Sequence, residues 1–213
     1  LRGELESQVV EWYGEAQAQV SDIDERRGLL ARQAELLSDR LRRGSDAIDV
    51  YEELSLLDPD DMLVLDALER LTQAEKHWQA FERTLTRKLE LHERNADRDG
   101  LKSVGLKLAR LLEDILDDPE RAVDVYRRVL QHIPADEDAF RGLESLFTTE
   151  DRWEDLLVLR RTRLDRLTDP DECVAEMVEI ARVMISLDDI GAALDSLEEA
   201  LRSEADSSHA VEL

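Results

Sequence analysis

The pentapeptide Ala47-Ile48-Asp49-Val50-Tyr51 returns downstream as Ala122-Val123-Asp124-Val125-Tyr126, so that position 47 maps onto position 122. The same offset carries Ala34 to Ala109, Pro59 to Pro134, Leu68 to Leu143 and Trp78 to Trp153. A third copy begins at Ala181 and continues as Ala193-Leu194-Asp195-Ser196-Leu197, with Ala193 matching Ala122 at a slightly shorter offset. A fixed internal period of this kind decides the architecture before any single element does, because each repeat is a supersecondary unit that buries its apolar face only by stacking on its neighbours.

Only 8 Gly and 4 Pro punctuate the whole sequence, and between them apolar residues recur at three- and four-residue spacing with charges on the other faces. This pattern predicts an all-helical chain. Eleven helices are expected near 3–20, 24–42, 45–57, 60–73, 75–92, 98–116, 118–132, 136–148, 150–168, 170–187 and 189–204. Asp118-Pro119 and Asp169-Pro170 each pair an oxygen acceptor with a residue suited to the first helical turn, and Ser45-Asp46, Asp60-Asp61 and Thr149-Glu150 are weaker starts of that kind. Connections are short, apart from a longer loop expected over 93–100. Each long period holds four helices, hence two hairpins of roughly 34 to 40 residues.

Within the hairpins the residues resemble the tetratricopeptide repeat, whose pattern has a small residue on each helix, an aromatic four residues after the second, and a closing proline. Leu108, Ala109 and Leu112 stand on one helix, and Ala122, Tyr126, Val129, Leu130 and Pro134 on the next. The upstream copy is Ala34, Leu37, Ala47, Tyr51, Leu54 and Pro59; the downstream copy is Ile180, Ala181, Met184, Ala193, Leu197, Ala200 and Leu201. The intervening hairpins, around Leu65, Leu68, Trp78 and Phe81 and around Phe140, Leu143, Trp153 and Leu156, are divergent and lack a small residue at the closest contact. Alanine lets two backbones approach, the aromatic fills the gap beyond it, and proline ends the second helix. The expected architecture is a right-handed α-solenoid over 1–213 as one repeat domain, with hairpins at 24–57, 60–92, 98–132, 136–168 and 170–204. The segment from Ala205 to Leu213 reads as the opening of a further helix, so the chain is expected to be a piece of a longer array.

Charge narrows the partners. With 52 Asp and Glu against 28 Lys and Arg, the net charge is −24, which repels nucleic acid and anionic lipid alike. From Asp171 onward 12 acidic residues face 2 basic ones, a stretch that would steer a basic partner. No apolar run reaches the roughly 18 residues of a membrane span, so no membrane insertion is expected. The chain opens with Leu1, not Met, and a targeting segment could lie upstream; without one, a soluble cytoplasmic protein is expected.

Chemistry-bearing patterns are sparse. A single cysteine, Cys173, forms no internal disulfide and sits among carboxylates. His77, His92, His132 and His209 show no paired metal-ligand spacing, and the acidic clusters Asp58-Pro59-Asp60-Asp61 and Asp117-Asp118-Pro119-Glu120 lack the glycine of a calcium loop. No catalytic residue, cofactor or metal is therefore expected. Trp78 and Trp153 recur at equivalent places, which favours a packing role over ligand stacking. The run Arg160-Arg161, Arg163 and Arg166 follows acidic residues on its own helix and reads as a solvated face suited to the helix dipole.

The resemblance implies a non-catalytic scaffold whose first helices line a surface for a protein or peptide partner. On that register Arg70, Arg110, Arg141 and Arg182 form a candidate arginine ladder for partner carboxylates, with Asp66 and Glu113 beside it. A competing expectation pairs these arginines with Glu69, Glu113, Glu144 and Glu179 of the same chain. The lysine and asparagine clamp of chaperone-tail grooves has no counterpart, since Asn95 is the sole asparagine. The alternative function is a structural spacer, or end-to-end self-association through a face around Leu194, Leu197 and Leu201.

Overall fold

A computed structural model describes the backbone of residues 2–211 and the side chains of residues 8–202. Among the described residues eleven α-helices follow one another: α1 (Arg2–Gln19), α2 (Ile23–Glu35), α3 (Gly44–Leu57), α4 (Met62–Ala74), α5 (Trp78–Arg94), α6 (Arg98–Asp114), α7 (Pro119–His132), α8 (Glu137–Thr149), α9 (Trp153–Leu164), α10 (Pro170–Ser186) and α11 (Ile190–Val211). A turn of π-helix over Leu36–Arg40 extends α2. Packing divides the chain into two compact units, Leu1–Pro134 and Ala135–Leu213. In the first unit each helix packs on its successor from α1 to α7; in the second α8 pairs with α9, α9 with α10 and α10 with α11. The chain is thus all-α, built of successive antiparallel hairpins: α2 with α3, α4 with α5, α6 with α7, α8 with α9, and α10 with α11.

The hairpin turns repeat one device. Arg42, Lys76, Asp117, Asp151 and Asp188 each lie between the two helices of a hairpin, and each has positive φ. The amide that follows reaches back to the last helical turn, as in His77 N–H to the Thr72 carbonyl at 2.9 Å and Arg152 N–H to that of Phe147 at 2.8 Å. This is the Schellman closure, which satisfies carbonyls that the helix end leaves without partners. None of the five residues is glycine, so the left-handed conformation is held against its usual cost of roughly 1–2 kcal/mol by the packing of the two helices.

The same closure corrects one expectation. Ala96 also has positive φ, Asp97 N–H bonds the His92 carbonyl at 2.9 Å, and the Asp97 carboxylate caps α6 by accepting from Gly100 N–H. The loop expected over 93–100 is therefore a three-residue turn. Asp118 and Asp169 cap α7 and α10 as expected, and Asp61 caps α4. Ser45 and Thr149 do not cap: α3 begins at Gly44 without a side-chain cap, and α8 runs through Thr149. At the far end α11 continues without a break to Val211, so the helix start expected near Ala205 is part of α11.

The small-residue pattern is met in the packing. Ala34, Ala47, Ala109, Ala122, Ala181 and Ala193 are all buried at helix contacts, and Tyr51 and Tyr126 are buried behind them. Gly105 shows how close the approach becomes: a Cβ added there would lie 2.5 Å from Cγ2 of Val129 on α7. Among the described residues no helix is long and apolar enough to cross a membrane.

Candidate partner-binding face

The first helices of the hairpins are α2, α4 and α6 in the first unit and α8 and α10 in the second. Arg70 on α4, Arg110 on α6, Arg141 on α8 and Arg182 on α10 are all exposed. Arg182 pairs with Glu179 one turn earlier at 2.7 Å, whereas Arg70, Arg110 and Arg141 form no ion pair with a described residue. Arg70 lies within the field of Tyr51, whose hydroxyl is pushed up by burial and by Glu35 and Asp39, with Arg70 opposing. Arg110 stands in the same relation to Tyr126 and Glu113.

Of the carboxylates expected to neutralise these arginines, Glu179 holds Arg182 as that expectation had it, whereas Glu69, Glu113 and Glu144 are engaged elsewhere, Glu144 by Arg160. Glu113 accepts a hydrogen bond from the Tyr126 hydroxyl at 2.6 Å; burial raises its pKa and this bond only partly offsets that. Asp66 accepts from Lys88 Nζ at 2.6 Å. Glu69 takes both Lys88 from α5 and Lys107 from α6. Burial alone would raise the pKa of Glu69, but the hydrogen bonds from Lys107 and Lys88 outweigh it and hold the carboxylate below its ordinary value. A depressed folded-state pKa contributes stability above the unfolded value near 4.3, and that contribution is lost as pH falls through the folded-state pKa. Glu69→Gln is therefore expected to flatten the fall of the urea midpoint below about pH 4.3; an unchanged slope would show that the three-residue cluster is not coupled to folding.

A second ionic cluster was not anticipated. Arg160 on α9 is buried, with 7% of its surface exposed, and meets Glu144 of α8, Glu176 of α10 at 3.0 Å and Glu179 of α10 at 3.7 Å. Next to it Arg163 lies over the Phe140 ring, 4.4 Å from its centroid, and pairs with Glu137 at 3.0 Å. The expectation of a fully solvated basic face on α9 is thus corrected at Arg160. The signal was available in the register: Arg160 stands one helical turn after the core residue Leu156 and at the place that buried Leu85 holds one long period upstream, so it occupies an apolar position.

Two concavities accompany these clusters. In the first unit a cleft of about 360 Å³ has a floor of Leu65, Leu68 and Ala80, and its rim arginines Arg83 and Arg87 are held by Glu52 and Asp60 at 2.7 and 2.5 Å. In the second unit a smaller cleft of about 170 Å³ lies between α8, α9 and α10, with Trp153 and Leu156 in its wall and Glu144, Glu179 and Arg182 around it. Among the described residues no three His, Cys, Asp or Glu side chains gather as a metal-binding group.

No protein-family model matches this chain, and no curated protein matches its sequence. Solved structures resemble it. YrrB, titled a TPR protein with an unusual peptide-binding site, is 15% identical, with 96% of this chain and 100% of that chain covered and a TM-score of 0.42. BtubC from P. vanneervenii is 17% identical over 97% and 91% of the two chains, with a TM-score of 0.40. A tetratricopeptide repeat protein from Parabacteroides merdae is 14% identical over 95% and 73%, with a TM-score of 0.37. The solved structures similar to this helical-hairpin protein thus include tetratricopeptide repeat proteins over nearly its full length.

Proposed function

We propose that the chain is a non-catalytic scaffold that holds a protein or peptide partner on the exposed faces of its first helices, with Arg70, Arg110, Arg141 and Arg182 receiving partner carboxylates. One observation carries this reading. In a chain with 52 acidic residues, three exposed arginines on these helices have no carboxylate partner among the described residues. A guanidinium left open in this way can bind a carboxylate by donating two parallel hydrogen bonds. Arg182 is held by an exposed same-helix pair, which exchanges easily because such pairs contribute only about 0–1 kcal/mol. Capture from native extract should retain a partner on the wild type and lose it on a folded variant carrying Arg70→Glu, Arg110→Glu, Arg141→Glu and Arg182→Glu. Equal retention by both proteins would reject the arginine ladder.

A second reading, self-association, is favoured by α11, where Leu194 is 57% and Leu201 65% exposed. Leu197 does not belong to that face. It packs with Ala193, Ile180 and Met184 against α10, because its register places it on the inner side of the helix. Sedimentation velocity of wild type and Leu194→Glu/Leu201→Glu separates the two readings: a spacer that joins end to end would lose mass in the variant.

A further inference from the structure

The five residues of positive φ that close the hairpin turns, Arg42, Lys76, Asp117, Asp151 and Asp188, align the second helices without reference to sequence likeness. Thirteen positions after them stand Ser55, Leu89, Leu130, Leu164 and Leu201. All the second helices but α3 thus carry leucine there, and the leucine of α5 is fully buried. The next position holds Leu56, Glu90, Gln131, Asp165 and Arg202, so it is polar everywhere except on α3. On α3 the leucine has therefore moved one residue along: the place that α5 buries holds a serine, and Leu56 is 80% exposed.

The missing leucine and the surplus one meet at one cleft. The first unit's concavity of about 360 Å³ is lined by Ser55, Leu56 and Thr84 over its floor of Leu65 and Leu68. Its hydroxyls are already engaged: Ser55 Oγ donates to the Glu52 carbonyl at 2.7 Å and Thr84 Oγ1 to the Ala80 carbonyl at 2.8 Å. Held by their own helices, they need no partner from outside, so an aliphatic side chain enters without stranding a polar group.

We propose that this cleft is the interface of a two-fold dimer, in which Leu56 of each copy enters the cleft of the other beside Ser55. A surface that carries both a projecting residue and the hollow for it is self-complementary, as a two-fold interface requires. The rim charges fit the same symmetry. Glu52 on α3 and Asp60 just beyond it form one side, Arg83 and Arg87 on α5 the other, in pairs at 2.7 and 2.5 Å. A two-fold axis along the cleft sets α3 of one copy over α5 of the other, acids against arginines. The Glu52–Arg83 pair is open to solvent, so exchanging it across the interface costs little. These four charges also cancel, so two copies of a chain of net charge −24 meet here without local repulsion. At 0.15 M salt, charges more than about 8 Å away are largely screened. The dimer goes beyond the partner-binding reading, and its residues are not those of the α11 face.

Sedimentation equilibrium of the whole chain over a wide range of concentration tests this. The average mass of the wild type should climb from the monomer's 24.4 kDa toward twice that value. Ser55→Leu gives α3 the leucine of the other second helices and fills the cleft from within; it should weaken the dimer at least about ten-fold without lowering the urea midpoint. Leu56→Gln, which places the residue of α7 at an exposed site, should weaken it as much. The two variants mixed should associate more than either alone, since one keeps the projecting leucine and the other keeps the open cleft. Leu194→Glu/Leu201→Glu should leave the dimer unchanged, which separates this surface from the α11 face. A wild type that stays monomeric throughout overturns the proposal and leaves the cleft to a different protein. A dimer that survives in folded Ser55→Leu or Leu56→Gln overturns it too, as does one lost in Leu194→Glu/Leu201→Glu or a mixture no more associated than its parts.

Discussion

Arg160→Ala is expected to destabilise the second unit by about 3–5 kcal/mol. The guanidinium is buried and Glu176 beside it is buried as well. Without Arg160, Glu176 keeps, among the described residues, only Arg163, at 3.6 Å, and Glu144 and Glu179 lose their link to α9. A carboxylate left in a poorly hydrated site without its cation costs far more than the intact pair contributes. The paired variant Arg160→Met/Glu176→Leu separates the two effects. By removing both buried charges it should recover most of the loss, to within about 1 kcal/mol of wild type, because apolar replacement of a buried pair is often neutral. One donor favours that outcome already: Nε of Arg160 is buried without a hydrogen-bond partner among the described residues. Urea midpoints of the single and paired variants decide the matter, and a single variant within about 1 kcal/mol of wild type would mean that water reaches the cluster.

Phe147→Ala should cost a similar amount, about 3–5 kcal/mol, through a cavity that α8 and α9 cannot close. Phe147 is 1% exposed and is, among the described residues, the largest of the fully buried side chains. The Arg152 guanidinium carbon lies 4.9 Å from its ring centroid, so truncation also strips a cation from an aromatic face. The equivalent residue one long period upstream is Thr72, fully buried as well, whose hydroxyl donates to the Leu68 carbonyl at 2.6 Å. One position of the repeat is thus filled by an aromatic in one unit and by a self-satisfied hydroxyl in the other. Thermal unfolding of Phe147→Ala checks the estimate; a shift matching that of an exposed substitution such as Val158→Ala would falsify it.

Phe147 also shows where reading by repeats stops. Self-comparison finds positions whose residue type recurs, as Ala34 and Ala109 or Tyr51 and Tyr126 do, and these are buried at helix contacts. A position that holds threonine in one copy and phenylalanine in the next leaves no recurrent mark. Ala96 is a second instance. Its left-handed turn joins α5 to α6 in three residues, yet no glycine signals it, because the closing hydrogen bond and the packing of the two helices hold an alanine where glycine is usual.

The helix count, the hairpin pairing and the buried alanines were readable from the chain alone because they depend on neighbours three or four residues apart, and on proline and aspartate at helix starts, which act within one turn. The helix that carries each of Arg70, Arg110, Arg141 and Arg182 was readable too. Their partners were not. Arg160 meets Glu144 and Glu176, each 16 residues away on a different helix, and Glu69 takes Lys88 and Lys107, leaving Arg70 next to it without an ion-pair partner among the described residues. Long charged side chains have reach enough for several partners. Which carboxylate each cation finds, and whether a cleft remains beside it, is decided only when helices distant in sequence are packed together and the space between them is limited.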